Sequence, residues 1–387
     1  MVSKTALSTA PDSSTHSLTS IAQKFLGDAG VASIRPLGNG NINDTYLVET
    51  KHASNYRCVL QRINRDVFPN PHQVMDNLCG FVNHVQKQLQ AVPSGRRWEV
   101  PTVLRTEQNQ HHWQDHQGQV WRSLSFVEST TTFDTIQSSE HANEAGYGLG
   151  YFHSLLSNLS TDTLVDTLPG FHITPNYLQQ YDGILSNPDV FSLEEYRCHN
   201  LIATHREQLS VLENAKAEGH LPLRAIHGDP KINNILMDAA TGQAVSLIDL
   251  DTVKPGLVHY DIGDCLRSSC NLLGEETAQW QDVSFDVELC AAVLRGYLSC
   301  ASNFLAPVEY DYIYDAIWLI TFELGLRFFS DHLAGNVYFK TQRPNHNLQR
   351  ALVQFQLAES IRQQQQAIEI VVQDLKHQYC SESDYAA

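Results

Sequence analysis

The spacing of apolar residues divides the chain into two textures. From Leu18 to Gly27 they recur at helical intervals, which predicts a short helix. A Gly/Asn-rich segment, Leu37 to Asp44, interrupts the pattern. The β-branched and apolar run Thr45–Val48 then predicts a strand, as do Tyr56–Ile63, Val103–Leu104 and Trp121–Val127. Between these, Val74, Leu78, Phe81, Val82 and Val85 place a helix over 69–89. After Glu128 helical spacing dominates. Ala145, Leu149, Phe152, Leu155 and Leu156 form one stripe, behind an acidic first turn at Glu140 and Glu144. Further helices are predicted near 176–186, 192–218, 284–302 and 310–333. A strand-rich stretch, Ala225 to Leu250, lies among them. Asn347 to His377 has no Gly or Pro and reads as one long helix, with Gln363 to Gln366 on its polar face. The outline is α+β: a small β-rich N-lobe over 16–127 and a larger helical C-lobe over 128–387, with a seam near 126–130. The Ser/Thr-rich residues 1–15 read as a disordered tail.

Composition narrows the class of partner. The 387 residues carry 26 basic and 43 acidic side chains, a formal net charge of −17. That excess argues against a nucleic-acid partner, which needs basic surface to displace counterions. The eight cysteines are scattered without a CxxC pair or a zinc spacing, and read as reduced thiols. The N-terminal residues lack the apolar core of a secretory signal, and no run approaches the roughly 20 apolar residues of a membrane span. These features place the chain in the cytoplasm, away from membranes. No repeat is visible, and no pattern speaks to oligomeric state.

The densest polar signal is Ala225-Ile226-His227-Gly228-Asp229-Pro230-Lys231-Ile232-Asn233-Asn234-Ile235-Leu236-Met237, followed by Val245-Ser246-Leu247-Ile248-Asp249-Leu250-Asp251. Two apolar strands flank the turn-forming Asp238–Gly242, so a hairpin is expected. With its turn centred on Thr241, residue 234 faces 248 and 233 faces 249, at Cα separations of about 4.5–5.5 Å. Asn234 and Asp249 then share the open end of the hairpin, and Asp229 lies on the loop entering it. Two carboxylates and an amide oxygen are hard ligands that suit Mg²⁺.

HGDxxxxN followed by an apolar-Asp strand resembles the signature of protein-kinase-like phosphotransferases, in the branch of the aminoglycoside and choline kinases. The resemblance implies a two-lobe kinase fold with ATP and Mg²⁺ as cofactors. It makes Asp229 the base that accepts the substrate hydroxyl proton, and Asn234 and Asp249 the magnesium ligands. It gives His227 a structural role in the catalytic loop. Asp251, where protein kinases have the Gly of DFG, stands as a metal or supporting group. Asp261, in His259-Tyr260-Asp261-Ile262-Gly263-Asp264, reads as a helix N-cap that braces the catalytic loop. Gly38, Gly40 and Asn41 take the place of the phosphate-cradling glycine loop. Phe126 and Val127 fall at the hinge that would hold adenine, or are ordinary core. In one respect the chain departs from the pattern: Gln61 stands where a protein kinase has its phosphate-binding Lys. Gln61, Arg62 or Arg57 takes over, or Mg²⁺ carries that charge.

Within this superfamily the chain is most similar to the N-acetylhexosamine 1-kinases. The pieces are Gly40-Asn41-Ile42-Asn43-Asp44-Thr45-Tyr46, Leu60-Gln61-Arg62-Ile63-Asn64, the Asp229–Leu236 run, and Glu323-Leu324-Gly325-Leu326-Arg327-Phe328-Phe329-Ser330-Asp331. That similarity implies a sugar as small-molecule substrate, phosphorylated at its anomeric hydroxyl. Asn43, Asp251 and Arg327 are the candidate sugar contacts beside Asp229. Arg327 sits in an apolar stretch and needs either a ligand or a buried salt bridge. Kinases acting on choline, homoserine, aminoglycosides or other sugars remain alternatives, as does a nucleotide-binding pseudokinase.

Overall fold

The computed structural model describes residues 13–38, 42–51, 56–91, 95–185 and 191–383. Most of the expected tail, residues 1–12, lies outside them, as do Gly40 and Asn41. The chain divides into two compact units, one comprising residues 1–79 and 101–128 and the other residues 80–100 and 129–387.

The first unit is an antiparallel sheet. Helix α1 (Ser13–Leu26) precedes strands β1 (Val31–Pro36), β2 (Asp44–Thr50) and β3 (Arg57–Arg62). Helix α2 (Pro71–Ala91) leads from this unit into the second, and the chain returns through β4 (Val103–Leu104), β5 (Trp113–Gln114) and β6 (Val120–Ser125). Sheet order is β1-β2-β3-β6-β4, with β5 added on β6. Alternation along these strands turns Val48, Cys58, Leu60 and Trp121 toward Ile21, Ala22 and Phe25 of α1. Strand β1 escaped the sequence reading because Arg35 and Pro36 break its apolar pattern.

The second unit is mainly helical. It begins with β7 (Thr130–Thr131), α3 (Ser139–Leu156), α4 (Thr174–Ile184), α5 (Leu193–His205) and α6 (Val211–Ala217). Short strands β8 (Arg224–Ile226), β9 (Ile235–Asp238), β10 (Ala244–Leu247) and β11 (Lys254–Gly256) follow. Helices α7 (Val258–Ser269), α8 (Val287–Ala301), α9 (Pro307–Tyr310), α10 (Ile313–Leu333), α11 (His346–Gln363) and α12 (Gln365–Ser383) complete it. The sequence predicts one helix over 192–218 and one over 347–377; each is broken. In the second, Gln364 leaves the helix and its amide donates to the Phe285 carbonyl at 2.8 Å. The glutamine run therefore marks a joint rather than a helix face.

Helices α3 and α8 pack backbone to backbone. A Cβ at Gly146 would sit 1.9 Å from the Val293 carbonyl oxygen, and one at Gly296 would sit 1.9 Å from that of Asn143. Such contact requires glycine on both helices. It brings His153 of α3 within 3.1 Å of the Tyr297 hydroxyl of α8, a point that bears on the loop after β8.

Candidate active site

Strands β9 and β10 form the expected hairpin. Leu247 pairs with Ile235 and Ser246 with Leu236, and a bulge follows before Ala244 pairs with Met237. The Ile248 N–H donates to the Asn234 carbonyl at 2.9 Å, so 234 faces 248 at the open end. The ladder ends there, and residues 233 and 249 do not extend it. Asn233 lies in the 3₁₀ turn Ile232–Asn234, and Asp249 adopts φ 66°, ψ 53°. This left-handed backbone costs a non-glycine residue roughly 1–2 kcal/mol and turns the exposed Asp249 side chain off the strand.

The Asn234 amide nitrogen donates to the Asp229 carbonyl (2.7 Å) and, more weakly, to Asp229 Oδ2 (3.3 Å). Both neighbours are acceptors, so the NH₂ faces Asp229 and the amide oxygen is the atom left for a cation. Lys231 was not singled out from the sequence. Its Nζ lies 2.7 Å from Asp229 Oδ2. Partial burial pushes the Asp229 carboxyl up, but the Lys231 ammonium, helped by Arg267, holds it below the usual value. Lys231 also feels the charge of Asp249, and its pKa is raised. Base candidate, cation and both candidate metal ligands thus belong to one cluster.

Every backbone polar group from His227 to Asp229 is engaged. The carboxylate of Asp261 accepts from the N–H groups of His227 (2.6 Å) and Gly228 (2.8 Å). The Thr252 hydroxyl donates to the His227 carbonyl at 2.7 Å, and His172 Nε2 lies 2.7 Å from the Gly228 carbonyl. The Asp229 N–H donates to His227 Nδ1 (3.2 Å), while His227 Nε2 reaches the Ile248 carbonyl (2.9 Å). His227 is therefore the neutral Nε2–H tautomer, and burial lowers its pKa. Gly228 is required here: its φ is +89°, and a Cβ would lie 2.9 Å from Thr252. Asp261 braces the loop but does not cap its helix. Helix α7 starts three residues earlier, at Val258, with Leu257 at the N-cap. The carboxylate of Asp261 is turned to the loop and held by His153 Nε2 at 2.9 Å.

Asp251 is 3 % exposed and lies in the 3₁₀ turn after Asp249. Arg327 of α10 is flanked by the rings of Phe171 (5.0 Å), Tyr177 (5.1 Å) and Phe339 (5.6 Å). Its Nη1 stands 3.9 Å from Glu323 Oε1. The buried salt bridge open at the sequence level is present, if long. The charge of Asp229 also reaches Arg327.

In the first unit, Gln61 is committed within the sheet. Its amide donates to the Thr45 hydroxyl (3.1 Å), and its oxygen accepts from Arg122 Nε (2.9 Å) on the neighbouring strand. Arg122, 1 % exposed, is a cation beside the Lys position that the strand pattern concealed. Arg62 pairs with Asp44, and Arg57 pairs with Glu128 while lying 4.4 Å over the Phe126 ring. Asn43 Oδ1 accepts from the Asn64 N–H at 2.9 Å. Gly38 takes φ +70° at the start of the β1–β2 connection, and Val127 is 4 % exposed. Among the described residues no group of three or more His, Cys, Asp or Glu side chains is arranged to hold a metal. A cation here would draw most of its ligands from elsewhere, as Mg²⁺ bound to phosphates does.

An antiparallel-sheet unit followed by a helical unit that carries an HGDxxxxN loop and a trailing Asp defines a protein-kinase-like phosphotransferase. Residues 33–300 match the profile of APH, the phosphotransferase enzyme family, and the chain belongs to that family. Solved structures share the fold. An aminoglycoside phosphotransferase from Alicyclobacillus acidocaldarius has 17 % identity and a TM-score of 0.59, over 93 % of this chain and 96 % of that one. A microcompartment-associated aminopropanol kinase has 16 % identity and a TM-score of 0.59, over 90 % and 98 %. An amicoumacin kinase, in complex with AMP-PNP, Ca²⁺ and Ami, has 11 % identity and a TM-score of 0.57, over 88 % and 92 %.

Proposed function

We propose that this chain is an ATP-dependent kinase that phosphorylates a small neutral molecule, the anomeric hydroxyl of an N-acetylhexosamine. The observation that carries the reading is the environment of Asp229. Lys231 keeps its carboxylate ionised, and the loop bearing it has no unsatisfied backbone group from His227 to Asp229. Asp229 accepts the hydroxyl proton as the hydroxyl oxygen bonds to the γ-phosphorus. The bond to the bridging oxygen breaks and ADP leaves. Mg²⁺, held by Asn234 and Asp249, would neutralise charge on the phosphates. Gly38, Gly40 and Asn41 are the proposed phosphate loop, and Phe126 and Val127 the adenine contacts.

The choice of acceptor rests on Arg327, whose guanidinium lies among the rings of Phe171, Tyr177 and Phe339. A sugar offers hydroxyls to Arg327 and Asp251 and apolar C–H faces to aromatic rings. A cytoplasmic setting suits ATP chemistry and the eight free thiols. No helix among the described residues is long and apolar enough to cross a membrane.

The test is ADP release from Mg-ATP across N-acetylhexosamines, other sugars, choline, homoserine and aminoglycosides. Turnover with an N-acetylhexosamine above the rest is expected. Asp229→Asn should reduce it by about 10²–10⁴-fold, the range of a lost general base. Turnover confined to a cationic alcohol would overturn the acceptor assignment, and none at all would favour a pseudokinase.

A further inference from the structure

Among the described residues, five of the six bonds that hold the backbone of residues 227–229 come from inside the motif or from the segment 252–261. The sixth comes from His172, on the connection before α4. His172 is 4 % exposed and has φ +65°, an unfavourable backbone for a non-glycine residue. Its connection is pinned in turn. The buried Lys254 ammonium of β11 donates to Asp166 Oδ1 (2.9 Å) and the Leu168 carbonyl (3.1 Å).

The two ring nitrogens of His172 face acceptors alone. Nε2 is 2.7 Å from the Gly228 carbonyl, and Nδ1 is 2.9 Å from Glu323 Oε1. A neutral imidazole has one N–H and one lone pair, so one of these contacts would set lone pair against lone pair. Glu323 is itself held ionised. Its Oε2 accepts from the Thr174 hydroxyl at 2.7 Å, and Arg327 lies beside it. His227 shows the contrast, since one of its nitrogens accepts an N–H and one donates.

We infer that His172 is a positioning residue: as an imidazolium donating to both Glu323 and the Gly228 carbonyl, it sets the Gly228–Asp229 peptide and ties it to the helix that carries Arg327. The inference rests on the reading of Asp229 as base. The groups facing His172 are Glu323 and Arg327 of α10, the Gly228 carbonyl of the loop, Tyr177 of α4 at the His172 backbone, the Tyr260 ring of α7 (5.4 Å) and the Phe171 ring (4.0 Å). Burial disfavours the charged ring, but Glu323 and the Gly228 carbonyl outweigh it, and the His172 pKa stands above the ordinary value. Loss of this proton removes a donor from the loop, so turnover has an alkaline limb.

The experiment uses the full chain with Mg-ATP and N-acetylglucosamine. His172→Gln, folded by near-UV dichroism, should lose about 10²-fold in kcat with KM for ATP little changed, the effect of a small displacement of a reacting group. Glu323→Gln should move the alkaline limb of kcat to lower pH, because the charge that retains the proton is gone. In ¹⁵N-histidine-labelled protein, a doubly protonated imidazole should persist above the ordinary titration range of histidine in the wild type and vanish in both variants. A folded His172→Gln chain with wild-type kcat, an unmoved limb, or no such imidazolium would overturn the inference. If His172→Gln does not fold, the limb and the spectrum of Glu323→Gln decide. If the wild type turns over no acceptor, the kinase reading falls, while the spectrum still decides the state of His172.

Discussion

Lys231 fixes the working charge of Asp229. Burial alone would raise that carboxyl, and the ammonium 2.7 Å away reverses the shift. Lys231→Met should therefore raise the Asp229 pKa and move the acid limb of kcat/KM to higher pH, with kcat reduced about 10-fold or more. A pH series of ADP release reads both, and an unmoved limb would separate Lys231 from the base. At this scale legibility was uneven. Asp229, Asn234 and Asp249 stand at short offsets around the open end of one hairpin, where local geometry suffices. His172 reaches Gly228 across 56 positions and Glu323 across 151, and no local pattern records such pairings. Arg122 is hidden in the same way, as one polar residue in a strand whose partner strand lies 61 positions earlier.

The elements carry the site through their packing. Helix α3 can approach α8 closely because glycines face each other, and the approach seats His153 between Tyr297 and Asp261. Gly296→Ala places a methyl 1.9 Å from a carbonyl oxygen and must push the helices apart. It should cost about 1–3 kcal/mol, the scale of overpacking, read as a lower denaturation midpoint. Turnover of the folded fraction should fall as well, since His153 supports the carboxylate that holds His227 and Gly228. A variant that is destabilised but fully active would uncouple α3 from the loop. Helix periodicity located α3, α8 and α10 well, because each buries a broad apolar face. It failed at Gln364, where a side-chain amide bonding to a distant carbonyl ends one helix and starts another with no Gly or Pro. Capping spacing misplaced the start of α7, because Asp261 turns its carboxylate to the loop instead of to its own helix.

For the molecule as a whole, nucleotide binding should appear as stability. A ligand that binds the folded chain at 100 times its Kd adds about 2.7 kcal/mol, so Mg-ATP should raise Tm by several degrees. Asp249→Asn should lose most of that rise, whereas Asp229→Asn should keep it, since only the first removes a proposed metal ligand. Equal shifts in both variants would contradict the division of roles between base and metal site. The order of residues alone was enough for the α+β class, the β9–β10 hairpin and its register at the open end. Those depend on alternation, helical period and turn chemistry over a few tens of residues. Packing of the folded chain set the left-handed turn at Asp249, the pairing of Lys231 with Asp229, the commitment of Gln61 to Arg122 and the contact of His172 with Gly228. Each follows from burial, where a polar group must find whatever partner the packed chain brings to it, however far away in sequence that partner lies.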